Sequence, residues 1–460
     1  MLSLALDIET IRTKLDKLLE AGRHTELRGA LSMLENVDIA EYISMLSPEK
    51  MLIVFRILPK DISADVFSYM EPDKQRELID SIGDSEIHNL IDSMFLDDAV
   101  DFLEELPAGV VKRVLQNTDE HTRNLINQFL RYPENSAGSL MTIEYCEFHT
   151  PCTVRQAMEE IRRTGVDKET IYTLYVIDES RHLIGTIPLR TLILAPEDAQ
   201  VSDYMTPNPV SVHTMDDQEV VADTVRKYDL MSIPVVDHED RLVGIITADD
   251  VMDVIEDEAT EDFEKMAAML PSDDTYLKTP VFTLVKNRLP WLMLLMISAM
   301  FTGLIITHYE SLITASGVIG VALTSCMPML MDTGGNCGSQ ASTMTIRGLA
   351  LGEVELKDIG KLLWKEFRVA IIVGVTLAIL NILRLVFINQ FEVSVALSVG
   401  LALFMTVILA KALGCTLPIL AKAVHLDPAL MASPMITTIV DALSLFFLFT
   451  ISSHFLGLAG

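Results

Sequence analysis

From Leu289 onward the chain carries five apolar stretches of spanning length, at 290–309, 315–345, 368–388, 396–423 and 430–457. A membrane helix needs roughly 20 apolar residues. This run therefore commits the carboxyl-terminal part to a bundle of five membrane helices. The two longer stretches contain Gly and Pro and are expected to be broken or bent.

The rest of the chain has the opposite character. The formal charge is −30, yet the mean hydropathy is +0.35. Residues 281–460 hold nine acidic and ten basic residues, while the first 280 hold 56 and 25. An acidic water-facing half is joined to a nearly neutral membrane half. That sign disfavours nucleic acid and favours cations as partners. Five Cys residues, with no CxxC pair, read as reduced thiols. The first residues have early acids and no long apolar core, so no cleaved signal is expected and the acidic half is placed in the cytoplasm. Loop charges agree. Lys286 and Arg288 precede the first stretch, and Arg347, Lys357, Lys361, Lys365 and Arg368 fill the second loop. The loops THYES and NQFEVS hold no Lys or Arg, which puts the amino terminus inside and the carboxyl terminus outside.

The last stretch contains one carboxylate, Asp441, and no other charge lies between Leu430 and Phe449. An ionisable group at that depth costs roughly 2.5–3.5 kcal/mol even on insertion scales and faces a bundle interior or water. Thr437 precedes it by four residues and shares its helix face, with Ser433 a further turn back. Two readings stand: a hydrogen-bonded tie between helices, or a cation-coordinating group in a pore. The second stretch holds MDTGGNCGSQ, in which Gly335 and Asn336 belong to an unusually small and polar core. Packing explains the glycines. It explains Asn336, Ser339 and Gln340 less well.

Residues 1–132 show short amphipathic runs ending before Pro, as in EKMLIVFRILP and DDAVDFLEELP, and predict a stack of helical repeats. Two copies of a β-α-β-β-α pattern follow. TLYVIDESRHLIGTIPLRTL in the first answers SIPVVDHEDRLVGIITADDV in the second. The pattern resembles the cystathionine-β-synthase (CBS) domain pair, with copies at 133–200 and 201–255. Such pairs sense ligands, often adenine nucleotides, through an Asp after the second strand. Asp250 holds that place in the second copy. In the first copy Thr191 replaces it, and Pro188 stands where Ser is frequent, which weakens the case for ATP but leaves it a possible ligand. Residues 256–285 open as an acidic linker helix in which Glu258, Glu261 and Asp262 share one face, behind Asp249, Asp250 and Asp253. Like charges at that spacing repel. A solvated face tolerates that repulsion, and a bridging divalent cation reverses its sign.

Taken together, PMLMDTGGNCGSQASTMTIRGLALGE and DPALMASPMITTIVDALS, behind a CBS pair and an acidic helix, resemble the MgtE-type magnesium channel or transporter. The resemblance implies a multidomain chain: a helical-repeat domain, tandem CBS domains, a linker or plug helix, and a five-helix membrane domain at 286–460. It implies a homodimer in a plasma membrane (the inner membrane of a bacterium), with a pore between protomers in which Asp441 holds hydrated Mg²⁺. Regulatory Mg²⁺ would fall to Asp65, Asp97 and Asp101, to Asp217, Glu219 and Asp229, and to Asp249, Asp250, Asp253, Glu258, Glu261 and Asp262. Ser433-Pro434 stands where some members have Asn-Pro, leaving Co²⁺, Mn²⁺ and Ni²⁺ as alternative cargo. A nucleotide-sensing transporter is the other alternative. A membrane metalloprotease lacks its HExxH among the ten His residues, so no enzyme is expected.

Overall fold

The computed structural model describes residues 2–457 apart from 105, 273–275, 278 and 432; the side chains of residues 2–10, 61, 312, 315 and 433 also lie outside the description. The chain forms two compact units, Met1–Glu256 and Asp257–Gly460.

In the first unit, ten short helices run from Leu2–Glu20 to Glu120–Phe129. Each Pro that ends an amphipathic run also starts the next helix. Pro72 occupies a first helical turn, while Pro59 and Pro107 are N-caps, positions where a missing N–H costs nothing. Their apolar faces build one core from Leu27 and Phe67 through Val100 to Ile233 and Ile246 of the second CBS copy.

The first copy contributes β1 (Glu147–His149), β2 (Thr173–Ile177) and β3 (Leu183–Pro188), extended by β4 (Thr206–Pro207). The second contributes β5 (Val212–His213), β6 (Ser232–Val236) and β7 (Leu242–Thr247). The register repeats: β1–β2 and β5–β6 are parallel, β2–β3 and β6–β7 antiparallel, each antiparallel pair with one irregularity at the same place. The copies also exchange edges. Thr206, from the start of the second, pairs with Thr186, and Thr142, from the start of the first, bridges Ile245. Tyr175 and Ser232 hydroxyls meet between them at 2.7 Å.

The helix Ala248–Met266 begins directly after β7, so the six linker acids expected to bind Mg²⁺, Asp249, Asp250, Asp253, Glu258, Glu261 and Asp262, lie on one helix. Among the described residues the second unit holds five apolar helical segments long enough to span a bilayer, at Val281–His308, Val318–Ala350, Leu356–Ile388, Val393–Ala423 and Pro428–Phe455. The fourth packs against the second, third and fifth, and the first against the fifth. The expected break in the second does not occur. It runs as one helix through Pro328, whose ring removes only the bond to the Thr324 carbonyl.

Candidate functional site

The second and fifth spans touch because the second presents glycines. A Cβ at Gly334 would stand 2.6 Å from Thr406 Cγ2 and 2.8 Å from Val440, and one at Gly335 2.9 Å from Thr437 Cγ2. This approach leaves a cavity of about 600 Å³ lined by Thr324, Met327, Pro328, Met331, Asp332, Gly335, Asn336, Thr437 and Asp441. No basic side chain is among them. The Thr437 hydroxyl donates to the Pro434 carbonyl at 3.0 Å, leaving its oxygen lone pairs free to accept. Of the pore residues expected from sequence, Asp441, Thr437, Gly335 and Asn336 line this cavity, while the side chain of Ser433 lies outside the described residues. Asp332 is an addition. It is the sole acid between Glu310 and Glu353, a signal available in the sequence.

Within the first unit a second group of acids converges from three distant segments. Asp97 is 9% exposed on the helix Leu96–Glu104. Burial first, then Asp98, Asp250 and Glu169, push its carboxyl well above the usual range. Burial and Asp250 raise Asp98 to about 6, and burial with Asp250 and Asp98 raises Glu169 to about 7. Glu169 Oε2 is buried with no hydrogen-bond partner among the described residues. Asp250 is raised by burial although it accepts the Thr247 hydroxyl. Asp65, within range of Asp98, accepts from Asn36 Nδ2 at 3.0 Å. Asp249 also acts on Asp98 and Glu169. All the donors are hard oxygens, the set that Mg²⁺ selects. Among the described residues no three of them close tightly enough to enclose one ion.

The other expected regulatory acids fall elsewhere. Asp101 is exposed on the same helix as Asp97, and Asp253 is exposed beside Glu256. Asp217 caps the helix Gln218–Tyr228 by accepting from Glu219 N at 2.9 Å, while Asp229 ends that helix with a left-handed φ of 51°. At 1.5 Å per residue the two ends lie roughly 18 Å apart, so Asp217 and Asp229 of one chain cannot share an ion. Glu258 lies half-buried on the linker helix. In the second unit Lys265 Nζ reaches Glu261 at 2.6 Å and Asp427 at 2.8 Å. Against the effect of burial, these carboxylates hold its ammonium above the usual value. Burial and the nearby Asp427 raise Asp262.

Sequence reasoning missed Asp98 and Glu169, which join the cluster only in three dimensions. It also missed Lys411, buried in the fourth span, where Nζ pairs with Glu366 at 3.1 Å.

These features define a multi-span membrane protein with an acid-rich first unit and a carboxylate-lined cavity among its spans. Known proteins agree. Residues 327–451 match the divalent cation transporter family, 34–135 its intracellular N domain and 201–257 the CBS domain. The magnesium transporter MgtE of Thermus thermophilus is 35% identical over 441 residues, covering 95% of this chain and 96% of the relative. That of Bacillus subtilis is 32% identical over 440 residues, covering 95% and 96%. A crystal structure of the soluble part of a magnesium transporter aligns with TM-score 0.53 at 32% identity, covering 55% of this chain and 99% of its own. The cytosolic domain of the Mg²⁺ channel MgtE in complex with ATP aligns with TM-score 0.51 at 36% identity, covering 53% and 99%. The chain belongs to the MgtE family of magnesium transporters.

Proposed function

We propose that this chain carries Mg²⁺ across a cell membrane as a homodimer, along a path lined by Asp441, and that Mg²⁺ bound to its acidic half closes that path. The carrying observation is the cavity of about 600 Å³ around Asp441, free of bases. Mg²⁺ dehydrates reluctantly and is held through one or two carboxylates. Six waters at about 30 Å³ each fill about 180 Å³, so the hydrated ion fits without stripping. Thr324, Pro328, Asp332, Asn336 and Gln340 recur every four residues and are all exposed in the single chain. A stripe containing Asp, Asn and Gln cannot face lipid. A second copy set across a water-filled path supplies its cover.

Closure follows from charge. Without divalent ions the carboxylates around Asp97, Asp98, Glu169 and Asp250 are costly to keep charged, first because they are buried and then because they repel one another. Ions that bridge them favour the packed state, and several sites acting together steepen the response. With the acidic half in the cytoplasm, rising internal Mg²⁺ then shuts the path. The relative solved with ATP makes a nucleotide on the CBS pair a further ligand to test. Here Asp250 is already engaged by Thr247.

The test is Mg²⁺ uptake into proteoliposomes at low Mg²⁺ on the side of the acidic half, with Co²⁺, Mn²⁺ and Ni²⁺ as competitors. Wild type is expected to take up Mg²⁺ and Asp441→Ala to take up none while keeping its oligomeric state. Equal uptake by both would reduce Asp441 to a structural tie.

A further inference from the structure

Asp332 shares the cavity of about 600 Å³ with Asp441 and acts on it electrostatically. It comes from the second span, on the face defined by Thr324, Pro328 and Asn336 at intervals of four. Pro328 cannot bond the Thr324 carbonyl, so that face also carries a backbone oxygen freed from the helix. Among the described residues no basic side chain lines the cavity to offset the second acid. Lys411 is committed to Glu366.

Two carboxylates facing one small volume at membrane depth repel each other and resist leaving water. A monovalent cation leaves one negative charge uncompensated. A divalent cation compensates both. Loss of one carboxylate therefore weakens a doubly charged ion more than a singly charged one.

We propose that Asp332 is a second ion-holding carboxylate of the path and sets its preference for divalent over monovalent cations. This rests on the reading of Asp441 as the conduction residue and extends it to a residue on a different span.

The experiment uses the full chain in proteoliposomes and reads two quantities, the half-saturating Mg²⁺ concentration and the ratio of Mg²⁺ to Na⁺ flux. Asp332→Asn and Asp332→Ser remove the charge while staying small and polar. Each is expected to raise half-saturation about tenfold and to lower the flux ratio by about as much, since ligand charge tunes divalent affinity. Asp332→Glu is expected to stay within about twofold of wild type on both. Unchanged half-saturation and flux ratio in the neutral variants, with Asp441→Asn inactive, would overturn the role of Asp332 alone. If Asp441→Asn also transports normally, the reading of the path itself falls. Failure of both neutral variants to reconstitute, with Asp332→Glu intact, would overturn the specificity role in favour of a structural one.

Discussion

Lys265 Nζ stands 2.8 Å from Asp427 Oδ2, joining the end of the acidic helix to the turn that leads into the fifth span. Glu261 completes the bridge at 2.6 Å and Asp262 lies beside it. A single tethered ammonium thus holds together acids that otherwise repel. Lys265→Ala leaves Glu261, Asp262 and Asp427 without that cation, so packing there should come to depend on added Mg²⁺. Hydrogen exchange of residues 257–266 checks this. Wild type is expected to be protected with or without Mg²⁺, the variant only with it. Equal protection in both without Mg²⁺ would refute the bridge.

The Asp98 and Glu169 carboxyls, at about 6 and about 7, make packing of the first unit pH-dependent. Both lie above their values in an unfolded chain, so the packed state binds more protons. Packing without Mg²⁺ is therefore weakest above about pH 7 and strengthens as pH falls through about 7 and then about 6. Glu169→Gln removes one of these charges. It is expected to raise Tm at pH 8 by about 2–4 °C and to flatten the profile between about pH 5 and 7, where Glu169 takes up its proton on packing. A profile identical to wild type would count against the cluster.

In the Lys411–Glu366 pair the lysine is buried and the glutamate largely covered, with 7% and 18% of the side chains exposed. Breaking a buried pair by removing one partner costs about 3–5 kcal/mol, whereas apolar replacement of both is often neutral. Glu366→Gln should therefore destabilise the protein strongly in detergent, and the double change Glu366→Met with Lys411→Met should recover most of the loss. Thermal unfolding followed by size exclusion reads both.

Gly334 is closed in by Thr406 and Val440, which would stand 2.6 and 2.8 Å from a Cβ at this position. Gly334→Ala overpacks this contact, at a cost of about 1–3 kcal/mol, and displaces the fifth span that carries Asp441. Uptake is expected to fall several-fold at normal expression, whereas Gly303→Ala, where a Cβ meets nothing within 4 Å, should leave it unchanged.

Much of this architecture was legible in sequence because periodicity and charge are local. The five apolar stretches and the CBS repeat needed no partner to be seen. Span ends were harder. The third segment begins at Leu356 rather than 368, since a helix continues past its apolar part through Lys361, Lys365 and Arg368. The fourfold stripe from Thr324 to Gln340 was readable and would have picked out Asp332. Glu169 was not readable: it meets Asp98 and Asp250 only after the chain has folded. The same holds for Glu366 and Lys411, which lie on different spans.

The polar stripe also bears on how the protein is made. The second span has a mean hydropathy of 1.2, against 1.9–2.5 for the other four. A segment this weak, with Asp332 near its middle, enters the bilayer poorly by itself. The spans it packs against, the fourth and fifth, follow it in the chain, so it settles in the bilayer only once they arrive. The residues that suit this helix to an ion thus make its biogenesis cooperative, and a defect in the fourth or fifth span is expected to strand the second outside the membrane.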